Sequence, residues 1–146
     1  MRITGMIPAR IGSERLKYKN LRLLAGKPVI NYAIEAAKTA NIFDKIFINS
    51  DESIFGEIAK KNNIEFYLRP KKLGSSTTQS DEVVFDFLSN NNTDLLVWVN
   101  PIAPLQTGVE IKNALEFMIG NKFDTVITSK KEFFHSLYEN KPINFK

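Results

Sequence analysis

One stretch, residues 8–20, concentrates side chains that could do phosphate chemistry: Arg10, Gly12, Ser13, Arg15, Lys17, Lys19 and Asn20 follow the Pro8-Ala9 pair within a dozen positions. Gly12 permits close backbone approach, and Ser13 offers a hydroxyl. The four cations supply charge, and arginine can clamp a phosphate with two parallel hydrogen bonds. Preorganised charge of this kind neutralises a triphosphate and the charge that develops as a nucleophile attacks it. The loop is neither of the common phosphate-binding signatures. The G-x-x-x-x-G-K-[ST] spacing is absent, and so is G-x-G-x-x-G. By charge alone it reads equally well as a solvated basic loop.

The distribution of charge sharpens the first reading. The chain carries a net charge of +4, but residues 1–30 hold seven Lys/Arg against Glu14 alone, a net of +6. The other 116 residues have 13 basic and 15 acidic side chains. A focused cluster in a balanced chain points to a small polyanion, whereas a nucleic-acid binder spreads its cations along a face or helix. The absence of cysteine excludes disulfides, thiolate metal sites and a cysteine nucleophile, and it fits a reducing cytoplasm. One histidine excludes a multi-histidine metal cage. No apolar run reaches the ~18 residues of a membrane span, and the N-terminus lacks the pattern of a signal peptide. Neither a membrane nor a nucleic-acid partner is expected.

The elements that must position the loop follow from periodicity. With 146 residues, 43% hydrophobic and 25% charged, the chain fits one globular domain. Strands are expected at 3–7, 45–50, 64–67, 94–99 and 123–128. Helices are expected at 28–39, with Ile30, Ala33, Ile34 and Ala37 on one face, and from an Asp51 N-cap through 61. Two more are expected near 81–88, behind a Thr78/Asp81 capping box, and from a Thr107/Glu110 capping box through 119. Trp98 falls in the apolar strand and is expected in the core. Strands alternating with helices across short connections specify a three-layer α/β/α, Rossmann-like fold around a mostly parallel sheet. Ligands in such folds sit beyond the carboxyl ends of the strands, which directs attention to 8–27, 49–53 and 100–107.

The first loop also resembles a known family. I-P-A-R-x-G-S-x-R-x-x-x-K-N-L is similar to the N-terminal signature of the acylneuraminate cytidylyltransferases, the CMP-sialic acid and related nonulosonate synthetases. The resemblance continues through G-K-P-V-I at 26–30, N-S-D at 49–51, L-R-P at 68–70 and P-x-x-P-L-x-T at 101–107. It implies a nucleotide-diphospho-sugar transferase fold and transfer of CMP from CTP to the anomeric hydroxyl of a keto-sugar acid, with pyrophosphate leaving. Arg10, Gly12, Ser13, Lys19 and Asn20 match nucleotide-binding positions, with Lys19 and Arg10 as the catalytic pair and Lys19 at the α-phosphate. Arg69 and Ser80 match further nucleotide contacts, and Asn100 and Gln106 fall beside the acceptor. Each has a plainer reading: Arg69 as a surface residue, Ser80 as a helix-start residue, Asn100 as a turn residue before Pro101. Mg²⁺ is implied on the phosphates, though no ligands for it are identifiable here.

Departures accompany the matches. Ile102 and Ala103 stand where the family has Thr-Ser, and Gln106 where it has arginine, so the acceptor side is less polar than usual. The family runs about half as long again, and the additional part carries the dimerisation element and metal-binding aspartates. On that basis nucleotide binding is expected with little transfer, and a homodimer weakened or absent, with an apolar strip at Phe133, Phe134 and Leu137. His135 reads as surface or packing. A nucleotide-binding remnant, a nucleotidyltransferase for another base or sugar, and a nucleic-acid module are the competing readings.

Overall fold

Strand β1, Ile3–Ala9, is apolar on both faces and lies at the centre of the sheet, as both-sided burial of a parallel strand requires. This is a computed structural model, and it describes residues 1–13, 16–129 and 136–143. Arg15, Phe133, Phe134 and His135 therefore lie outside the described residues.

After β1 come a 3₁₀ turn at Lys19–Leu21, a two-residue hairpin of β2, Leu23–Leu24, and β3, Lys27–Pro28, and then helix α1, Val29–Ala40. The order continues with β4, Lys45–Ser50; α2, Ile54–Lys61; β5, Glu65–Leu68; a second 3₁₀ turn at Lys71–Gly74; α3, Ser80–Asn90; β6, Leu95–Trp98; and α4, Gly108–Gly120. A small hairpin, β7, Leu137–Tyr138, with β8, Lys141–Pro142, closes the described chain. The main sheet runs β5-β4-β1-β6 with every pairing parallel.

Two cores flank that sheet, giving the three layers expected. On one face Ile30, Ala33, Ile34 and Ala37 of α1 pack with Ile7, Ile48, Phe55, Val99 and Ile111. On the other, Phe87 of α3 is fully buried against Met6 and Phe47, its ring edge-on to Phe47 and Tyr67. Helix α1 ends at Asn41, whose left-handed backbone (φ 52°) satisfies the terminal carbonyls without a glycine. The Thr107/Glu110 capping box forms as expected: the Thr107 N–H donates to Glu110 Oε2 at 2.7 Å, and the Glu110 N–H donates to Thr107 Oγ1 at 3.2 Å. That backbone bond, followed by the Thr107 hydroxyl, holds the Glu110 carboxyl below its ordinary range.

Four local expectations are corrected. Helix α3 is boxed one residue later than expected, with the Gln79 N–H donating to Glu82 Oε2 at 2.8 Å, while Thr78 Oγ1 bonds the Lys72 carbonyl. Asp51 caps nothing: α2 starts after Ser53, and the Asp51 carboxylate turns inward to Arg69. Residues 123–128 form no strand: Phe123 folds back on α4, its N–H on the Met118 carbonyl and its ring 5.7 Å from that of Phe117, and the residues after it pair with no strand among the described residues. Trp98 is not core. Among the described residues β6 is an edge strand, and Trp98 at its carboxyl end is 39% exposed.

Candidate functional site

The sheet order reverses between β1 and β6: α1 leads from β1 to β4 on one side, and β6 lies on the other. That switch point is where the carboxyl-end loops part and leave a crevice. A cleft of about 270 Å³ opens there, bounded by the loop after β1, the segment from Arg69 to Val83, and the turn after β6.

The loop after β1 brings Arg10, Ser13, Lys19 and Asn20 to the cleft. Ser13 is held by a tight turn, its N–H donating to the Ile11 carbonyl at 2.9 Å. Tyr18 adopts a left-handed backbone (φ 57°), a costly conformation for an aromatic residue, and it turns the chain into the 3₁₀ segment that presents Lys19 and Asn20. Arg10 reaches across, Nη1 donating to the Ser75 carbonyl at 2.8 Å, and so joins two walls of the cleft. Asn20 is buried. Its Nδ2 donates to the Arg10 carbonyl at 3.3 Å, but its Oδ1 has no partner among the described residues. Lys17 does not line the cleft, and Gly12 is exposed with open space where a Cβ would stand.

Arg69 forms the floor in an unusual way. It is 5% exposed, and both Nη groups are committed to the protein, while Nε has no partner among the described residues. Nη1 donates to the Asn49 carbonyl at 2.8 Å and to Asn49 Oδ1 at 3.2 Å. Nη2 donates to the Ala9 carbonyl at 2.9 Å and to Asp51 Oδ1 at 3.1 Å. One side chain thus ties together the carboxyl ends of β1 and β4. Burial lowers the Arg69 pKa, Asp51 opposes that shift, and the neighbouring charge of Arg10 adds to it. Gly74 belongs to the same arrangement, since a Cβ there would come within 2.1 Å of Asp51 Oδ2.

Of the remaining expected site residues, Ser80 and Asn100 line the cleft and Gln106 does not. Asn100 also performs turn chemistry, its Oδ1 accepting the Ile102 N–H at 3.2 Å. Gln106 Oε1 is buried without a partner among the described residues, away from the cleft. Sequence reasoning passed over the hydroxyl-rich wall at Ser75, Ser76 and Thr78, and over Trp98. The unbroken polar run Ser-Ser-Thr-Thr-Gln-Ser at 75–80, following the third strand of the parallel sheet, was the available signal. Among the described residues no group of three carboxylate or histidine side chains could hold a metal, and the cleft is lined by none. No helix in the described residues is long and apolar enough to cross a membrane.

The fold is the three-layer, Rossmann-like one shared with solved nucleotidyltransferases. A solved structure of CMP:2-keto-3-deoxy-manno-octonic acid synthetase complexed with CTP superposes with a TM-score of 0.74, at 17% identity over 84% of this chain and 49% of that one. The chain belongs to the cytidylyltransferase family, whose family model, described as Cytidylyltransferase, matches residues 4–143. It is 34% identical over 126 residues to the N-acylneuraminate cytidylyltransferase of Streptococcus agalactiae serotype III, covering 84% of this chain and 30% of that protein. It is 33% identical over 122 residues to the CMP-N,N'-diacetyllegionaminic acid synthase of Legionella pneumophila, covering 80% of this chain and 53% of that one. The chain thus spans between about a third and a half of the length of these relatives.

Proposed function

We propose that this chain supplies the nucleotide-binding site of a cytidylyltransferase that moves CMP from CTP to the anomeric hydroxyl of a nonulosonic, sialic-acid-like keto-sugar acid. The observation that carries the reading is the convergence of Arg10, Ser13, Lys19 and Asn20, whose buried Oδ1 has no partner among the described residues, on one cleft at the switch point of the sheet. A buried acceptor without a donor is costly, and a ribose hydroxyl is a donor of the right kind. The cations face the same space and would neutralise the triphosphate.

In the proposed reaction the anomeric hydroxyl oxygen attacks the α-phosphorus in line, and its proton passes to water. A new phosphorus–oxygen bond forms as the bond to pyrophosphate breaks. Lys19 and Arg10 stabilise the charge gathering on the phosphate oxygens, and the cleft holds the partners in attacking geometry. The described residues do not fit a protein-held Mg²⁺: none of their carboxylates lines the cleft, and Asp51 is paired with Arg69. The names of the relatives support a nonulosonic acceptor.

Calorimetric titration with CTP, GTP and UTP tests the nucleotide, with CTP expected to bind most tightly. Pyrophosphate release with Mg²⁺ and a panel of nonulosonic acids tests the transfer. Failure to bind CTP overturns the reading. Binding with no release across the panel confines it to nucleotide binding.

A further inference from the structure

We infer that Trp98 is a nucleotide-contacting residue, its indole stacking on the base of the nucleotide held in the cleft. The inference rests on the cleft being a nucleotide site and assigns to it a part that no phosphate-binding motif supplies.

Trp98 occupies a position where a strand of this kind would bury an aliphatic side chain. Its register partner in β1 is Met6, so the two side chains share one face of the sheet, and two residues earlier on that face Leu96 packs against the Met6–Phe47–Phe87 core. One step further toward the carboxyl end the core stops, and the indole is left 39% exposed, lining the cleft. It is the only aromatic ring among the described cleft residues. A large ring at the mouth of a polar cleft loses part of the benefit of burial unless something covers it. Other residues lining the same cleft suit a planar heterocycle. Val83 and Ile102 add apolar surface, and Ser80, whose hydroxyl makes no hydrogen bond among the described residues, offers an edge contact. Phosphates are provided for elsewhere, by Arg10 and Lys19 from the loop after β1. Stacking on an indole suits any base, since each has a π-face, and the edge contacts then choose among them.

Trp98 is the single tryptophan of the chain, so its fluorescence reports on this site alone. Titration with CTP and with CMP should perturb the emission, whereas inorganic tripolyphosphate should bind without doing so. Replacing the indole by W98L should weaken CTP by roughly tenfold or more and leave tripolyphosphate affinity unchanged. W98F, which keeps an aromatic face, should recover most of the loss. Circular dichroism melts of both variants check that the strand still folds. If calorimetry shows CTP binding while the emission stays flat and W98L binds as tightly as the parent, the stacking assignment is wrong and the nucleotide reading stands. If CTP does not bind the parent at all, the cleft reading itself fails. A response to a nonulosonic acid but not to CTP or CMP also overturns the assignment, placing Trp98 with the acceptor.

Discussion

At the scale of single residues, the cations that line the open cleft differ from the one that holds the protein together. Lys19 lines the cleft and Lys17, two positions earlier, does not. K19A should therefore weaken CTP binding by about 1.5–3 kcal/mol, at least tenfold, while K17A changes it little. Equal losses in calorimetric titrations would refute the assignment. Arg69 behaves differently. Its two Nη groups satisfy backbone carbonyls of Ala9 and Asn49 and the Asp51 carboxylate in a buried setting. Removing it leaves Asp51 without its counter-charge, so R69M should lower stability by about 3–5 kcal/mol, read from denaturant unfolding. A variant as stable as the parent would show that the tie is dispensable.

At the scale of elements, close contacts decide which substitutions the fold tolerates. Gly108 opens α4 where that helix meets the end of α1, and a Cβ there would stand 2.5 Å from the Ala40 backbone nitrogen. Backbone cannot move aside as a flexible side chain can, so G108A should destabilise by about 1–3 kcal/mol. Gly120, at the other end of α4 with open space at its Cβ, provides the control: G120A should have almost no effect on the melting temperature. Strand β5 is linked to α3 by the Tyr67 hydroxyl, which donates to Asp86 Oδ2 at 2.9 Å. Burial, and then that bond to a carboxylate, push the Tyr67 phenol up to about 12. A group with a raised pKa stabilises the fold below its unfolded value, near 10, and loses that contribution as pH rises toward 12. Stability should accordingly decline between about pH 10 and 12, and Y67F should flatten that decline. A phenolate absorbance titration with no component near 12 would contradict this.

At the scale of the whole molecule, the excess of positive charge lies early in the chain. Residues 1–30 carry +6 while the rest is slightly acidic; β1 itself holds no charged side chain, and of those cations Arg10 and Lys19 line the cleft where the sheet order reverses. A field of this shape draws a small polyanion into one cleft and offers no continuous track for a duplex. CTP affinity should fall steadily as salt is raised, whereas RNA and double-stranded DNA should show no retention at physiological salt. Retention of either nucleic acid at physiological salt, weakening as salt is raised, would favour the competing reading of the basic loop.

Much of this was legible in the chain itself. Helix α1, β4 and the Thr107/Glu110 box lie where local periodicity and capping chemistry place them, because those signals depend only on neighbours a few residues apart. Alternation of strands with helices was enough to specify the parallel, three-layer fold, and the loop after the first strand does bring Arg10, Ser13, Lys19 and Asn20 to one cleft. The tertiary structure decided the rest, through contacts between residues far apart in sequence. Asp51 sits where a helix cap is expected, but an arginine 18 positions later draws its carboxylate away from that role. The Phe123 ring packs against α4, and the segment after it never joins the sheet. Trp98 reads as core from its apolar neighbours, yet burial depends on what covers a side chain. At the carboxyl end of an edge strand the cover ends one residue too soon, and the indole is left facing the cleft.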